Sequence, residues 1–121
     1  MNSNTVPTTS DFVKMCKALG DLERVQIAEL LLCEGPMHVS LLAERIGISQ
    51  PVCSNKLKWL EEAKLVAKAR VGQYVVFCIS AEQLLLLSKK VEELVSRVPK
   101  AQLSTCPVNP STMNFIVEPK L

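Results

Sequence analysis

The chain has 121 residues, which suits one domain and excludes a catalytic domain joined to a separate regulatory one. Hydrophobic residues make up 48% and charged residues 21%, the balance of a globular chain rather than a disordered one. The net charge of +2 is too small to point to nucleic acid, and neither a basic-then-apolar leader nor an apolar run of about 18 residues is present, so neither export nor membrane insertion is expected.

Residues 1–10 read as a flexible N-terminus. Phe12, Cys16 and Leu19 then stand at i, i+4 and i+7, which predicts a short amphipathic helix ended by Gly20. Asp21 is a natural N-cap for a second helix with Leu22, Val25, Ala28 and Leu31 on one face, stopped by Gly35-Pro36. Ser40 is expected to cap a third helix through Leu41, Leu42 and Ile46, closed by Gly47 in a left-handed conformation. Only Ile48 then precedes a new cap at Ser49, and Pro51 is tolerated in a first turn, where its missing N–H has no helical partner. Helix, short turn, helix is the punctuation of a helix-turn-helix. The fourth helix buries Cys53, Leu57 and Leu60 and turns Ser54, Asn55, Lys58 and Glu62 outward.

After Lys64 the period changes to two. Leu65–Val71 and Tyr74–Ile79 read as strands of a hairpin around Gly72-Gln73. Glu82–Val98 is helical again, with Leu84, Leu87, Val91, Leu94 and Val98 in a stripe widened by Leu85, Leu86 and Val95, and Pro99 stops it. Residues 99–121, rich in Pro, Ser, Thr and Asn, read as an irregular tail with one apolar patch, Phe115-Ile116-Val117. The fold class is therefore mainly α with a β-hairpin wing, in the order ααααββα: a winged helix-turn-helix over residues 11–98.

Charge is unevenly spread: −2 over residues 1–48, +3 over 49–73 and +1 over the rest. The positive block covers the fourth helix and the hairpin, where a phosphate footprint could be built. In a winged helix-turn-helix the second helix of the motif enters the major groove. Ser49, Gln50, Val52, Ser54, Asn55 and Lys56 occupy its start. Gln and Asn can bond adenine bidentately, and Lys can reach guanine acceptors or a phosphate. Lys68, Arg70 and Gln73 of the wing supply phosphate or minor-groove contacts. The alternatives are a merely solvated polar face and a winged-helix protein-interaction module that binds no DNA.

The five cysteines, at 16, 33, 53, 78 and 106, form no CxxC or CxC pair, so a zinc knuckle is not expected. Their odd number points to free thiols in a reducing compartment, the cytoplasm. Cys16, Cys33, Cys53 and Cys106 are the candidate effector residues, since two or three of them meeting in space would sense a soft metal, a metalloid or an oxidant. The sole histidine, His38, reads as a surface residue or cap rather than a ligand. No acid or base partner stands near any cysteine in sequence, so an enzyme is not expected.

The run Lys17-Ala18-Leu19-Gly20-Asp21, then Arg24, Leu42-Ala43-Glu44, Gly47, Ser49-Gln50-Pro51, Ser54, Leu57-Lys58 and Leu60 resembles the ArsR-type (ArsR/SmtB) winged-helix transcriptional repressors over residues 12–98. The resemblance implies a homodimer formed through the first and last helices, residues 12–19 and 84–98, that binds a palindromic double-stranded operator and lets go when an effector binds. It also exposes departures. Where many such repressors carry a Cys-x-Cys metal site, this chain has His38 and Ser40, and its last helix has no histidine for a zinc or nickel site.

Overall fold

The computed structural model describes residues 6–99. Its elements are α1 (Thr9–Ala18), α2 (Leu22–Glu34), α3 (Val39–Ile46), α4 (Gln50–Glu62), β1 (Val66–Val71), β2 (Tyr74–Ile79) and α5 (Ala81–Ser96), the expected ααααββα order. By contacts the chain divides into two units, residues 1–90 and 91–121, with α5 running from the first into the described start of the second. Cys106 and the Phe115-Ile116-Val117 patch lie outside the described residues, as does the tail beyond Pro99.

Every helix starts on a side-chain acceptor that takes a backbone N–H left unpaired by helix geometry. Thr8 Oγ1 accepts from Asp11 N at 3.0 Å, Asp21 Oδ2 from Arg24 N at 3.0 Å, Ser49 Oγ from Val52 N at 3.3 Å and Ser80 Oγ from Gln83 N at 3.2 Å. The Thr8 cap starts α1 two residues before the expected Asp11, so residues 9 and 10 belong to the helix and not to a flexible N-terminus. The cap of α3 is His38, whose Nδ1 accepts from Leu41 N at 3.3 Å. This corrects the expectation for Ser40, which lies inside the helix with its hydroxyl 2.7 Å from the same ring nitrogen.

The core of the first unit draws Met15 and Ala18 from α1, Ile27 and Leu31 from α2, Leu42 and Ala43 from α3, and Cys53, Leu57 and Leu60 from α4, with Leu65 and Val66 at the root of the hairpin. Burial of such side chains stabilises a fold by roughly 1.5–3 kcal/mol each. The buried face of α2 is Ile27, Ala28 and Leu31. Leu22, expected on that face, is the first residue of the helix and is 74% exposed.

The turn between α3 and α4 runs through Gly47 at φ 88°, ψ 34°, and both Gly47 N and Ile48 N donate to Ala43 O, at 2.8 and 3.0 Å. At the far end of α4, Leu65 N donates to Leu60 O and Lys64 N to Glu61 O, each at 2.9 Å. This is a Schellman closure with lysine, at φ 63°, in the left-handed position that glycine usually fills.

Strands β1 and β2 pair antiparallel from Val66↔Ile79 to Val71↔Tyr74. Gly72 takes φ 63° at the first position of the two-residue turn, where a non-glycine side chain would be strained. Ser80 N donates to Leu65 O at 2.8 Å, closing the root. An isolated bridge joins Met37, in the α2–α3 connection, to Phe77 through N–H···O bonds of 3.1 and 2.7 Å. The hairpin is thus bonded on the β2 side to the start of the helix-turn-helix, a pairing that the Gly35-Pro36 stop signal hid.

Candidate nucleic-acid interface

Helix α4 turns one side into the core and leaves the other bare. Cys53, Leu57 and Leu60 are buried, whereas Gln50, Pro51, Val52, Ser54, Asn55, Lys58, Trp59 and Glu62 are exposed. At about 100° per residue, Pro51, Asn55, Lys58 and Glu62 form the crest of the exposed face and Ser54 lies beside them. Gln50 and Val52 flank the crest on opposite sides near the helix start, next to the Ser49 cap. Lys58 is the crest cation. Its place with Pro51 and Asn55 at i+7 and i+3 was legible in the helical period, although it is not among the sequence-derived site residues.

Lys56, the expected reader of guanine or phosphate, is turned elsewhere. One residue past Asn55 and about 100° round the helix, its side chain is 16% exposed and its ammonium lies 3.0 Å from Asp21 Oδ2 and 3.3 Å from Glu23 Oε1. The hydrogen bond from Lys56, joined by that from Arg24 N, holds the Asp21 carboxyl below the usual aspartate range. The same partner raises the pKa of Lys56. The expectation of a solvent-facing lysine at this position is therefore corrected: the ammonium is engaged within the protein.

On the wing, Lys68 and Arg70 stand two residues apart on one face of β1, opposite Phe77 and Val75, and both are exposed, as is Gln73 in the turn. Lys68 makes a long contact with Glu61, 3.8 Å. Tyr74, also exposed, stacks on the His38 ring with centroids 6.1 Å apart. That contact links the hairpin tip to the cap of α3.

The cysteines separate by exposure. Cys16 and Cys33 are exposed, Cys78 is partly covered and Cys53 is fully buried, where desolvation pushes its thiol pKa up. Cys53 is thus a packing atom and is corrected as an effector candidate. Among the described residues no group of three or more His, Cys, Asp or Glu side chains is placed to hold a metal ion. The Ser40 hydroxyl and the Leu41 N–H both point at His38 Nδ1, which occupies that nitrogen as an acceptor. Also among the described residues, no helix is long and apolar enough to cross a membrane.

The same segments are the ones shared with known proteins. The profile described as "Bacterial regulatory protein, arsR family" matches residues 23–68, from the first turn of α2 into β1. An ArsR-like transcriptional regulator from Rhodococcus sp. RHA1 superimposes with a TM-score of 0.68 at 22% identity, over 72% of this chain and 81% of that one. A homodimeric winged helix-turn-helix DNA-binding domain from Mycobacterium bovis, described as a possible ArsR-family transcriptional regulator, does so with a TM-score of 0.59 at 25% identity, over 72% of this chain and 79% of that one. A riboflavin kinase of Methanocorpusculum labreanum is 37% identical over 62 residues, which are 48% of this chain and 28% of that protein; the chain spans less than a third of this relative. Helix order and hairpin are those of the winged helix-turn-helix relatives, and residues 23–68 are similar to the arsR family of bacterial regulatory proteins.

Proposed function

We propose that the protein is a cytoplasmic transcriptional repressor that binds a palindromic operator as a homodimer, with α4 in the major groove and the hairpin along the flanking backbone. The observation that carries this reading is the bare crest of α4, with Asn55 and Lys58 on it and Gln50, Val52 and Ser54 beside it, together with exposed Lys68 and Arg70 on the wing. Amides supply base-edge contacts, the Val52 methyl groups suit a thymine methyl, and the wing cations neutralise phosphate. The dimer contact is assigned to α1 and α5, where Val13 and Leu85 are 43% and 53% exposed; a homodimer is favoured by the homodimeric Mycobacterium bovis domain. Release from DNA is assigned to a thiol-directed effector acting at Cys16 and Cys33.

Titration of selected and random duplexes at several salt concentrations tests this reading. Gln50→Ala or Asn55→Ala should cost about 1–3 kcal/mol on the selected duplex and relax its sequence preference. Lys68→Ala and Arg70→Ala should weaken binding to every duplex and flatten the salt dependence by about one phosphate each. Unchanged affinity in all four variants would remove α4 and the wing from the account, and would favour a winged-helix module that binds protein. Cys16→Ser with Cys33→Ser should abolish release by arsenite or peroxide; release that persists would overturn the effector assignment.

A further inference from the structure

The placement of Lys56 poses a problem that the proposed function does not solve. A lysine in the second turn of a groove-reading helix would add a phosphate contact if it were free. Here two carboxylates, Asp21 of the α2 cap and Glu23 of its first turn, draw it away from the exposed crest. One turn further along the same side of α4, the Arg24 guanidinium lies 4.5 Å from the centroid of the Trp59 ring. Arg24 also donates through Nε to Ala18 O at 2.6 Å and through Nη2 to Lys17 O at 3.1 Å, the last carbonyls of α1. The α1–α2 corner therefore grips α4 at two points, Lys56 and Trp59, three residues or about 4.5 Å apart along the helix axis. These two contacts act beside the core packing of Cys53, Leu57 and Leu60 and add a polar constraint on the direction of α4.

Resting on the reading of α4 as the groove-reading helix, we propose that Lys56 is a positioning residue. Its ion pairs with Asp21 and Glu23, together with the Arg24–Trp59 stack, set the direction of α4 relative to α1. If α1 lies in the dimer contact, the same bracket sets the separation and tilt of the two reading helices and hence the operator spacing that the dimer accepts.

The test turns on the sign of a paired experiment on the full chain. Duplexes carrying two copies of the selected half-site, with the spacer lengthened or shortened one base pair at a time, are titrated with wild type, Lys56→Gln, Lys56→Arg and the double variant Asp21→Asn/Glu23→Gln. Asparagine keeps the α2 cap, and thermal unfolding of each variant checks the fold. Positioning requires that Lys56→Gln and the carboxylate variant both lose about tenfold on the best duplex, the worth of one base contact. It also requires a flatter dependence on spacer length, an unchanged salt slope and recovery in Lys56→Arg. Combining the two sets of substitutions should cost little more than either alone.

If Lys56 instead touches DNA, freeing it in Asp21→Asn/Glu23→Gln tightens binding and Lys56→Gln lowers the salt slope by about one; that result overturns the proposal. Variants that match wild type, or that lose affinity equally at every spacing, also overturn it, since the bracket would then be a surface ion pair or a stability element alone. Wild type that binds no duplex would end the repressor reading itself, an outcome distinct from all of these.

Discussion

Asp21 performs two functions with one carboxylate, as cap of α2 and as partner of Lys56. Both lower its pKa, the lysine hydrogen bond most. A carboxylate whose folded pKa is depressed contributes stability that is fully present above its unfolded value, about 4, and lost as pH falls through the still lower folded value. Lys56 has the opposite sign: its raised pKa makes its contribution complete below the ordinary lysine range, about 10, and lost as pH rises through the folded value. The pair therefore acts throughout the neutral range. Wild type should be more stable to urea than Asp21→Asn at pH 7, and the gap should close as pH falls below about 4; a gap that stays constant down to pH 2 would show that the carboxylate charge is not involved. The sequence showed Asp21 as a cap because capping is local, three residues from acceptor to donor. Its bond to Lys56 spans 35 residues, which no local pattern encodes, and so Lys56 read as a free cation.

Among elements, α4 and the two turns that bound it were the most legible. The Gly47-Ile48-Ser49 punctuation placed the start of the helix, and the alternation of buried Cys53, Leu57 and Leu60 with polar positions placed its face. Its end was less visible, because the left-handed position falls on Lys64 and not on glycine. A left-handed L-residue costs about 1–2 kcal/mol, so Lys64→Gly should raise stability by about 1 kcal/mol, read as a higher urea midpoint at unchanged slope. Gly47→Ala is expected to lower it by a similar amount, since Gly47 takes φ 88° with open space where a Cβ would sit; the penalty is conformational and not steric. A destabilised Lys64→Gly would mean that the lysine chain makes compensating contacts. The α3 cap was misread for an instructive reason. Serine is the stronger N-cap by propensity, yet the ring of His38 is held in place by its stack on Tyr74, a contact that depends on the hairpin folding back.

At the scale of the whole molecule, fold class and helix order followed from periodicity and turn chemistry, since each helix carries its own cap and stripe. The apolar residues of α5 were legible as a stripe, but their partner was not, because a stripe looks the same whether it faces its own core or another chain. In the structure Leu86 is buried while Leu85, Val91, Leu94 and Val95 are exposed. Exposed apolar positions at this density on one helix suit an interface more than a solvated surface. If α5 and α1 form a dimer, the thermal midpoint should rise with protein concentration, by mass action, and Leu85→Glu should abolish that rise while leaving the Gln50 and Asn55 surface intact. A midpoint independent of concentration in wild type, with a monomer mass by sedimentation, would contradict the homodimer.

The Met37–Phe77 bridge gives the hairpin an asymmetric mechanical character. The root of β2 is bonded on one edge to the loop that launches α3 and on the other to β1, whereas toward the tip the tie to the helices is made by side chains, through the Tyr74–His38 ring stack. A pull on the wing tip would load the ring stack first and leave the hydrogen-bonded base in place. The outer turn can thus shift its ring contact without loosening the backbone bonds that hold the base to the α2–α3 connection.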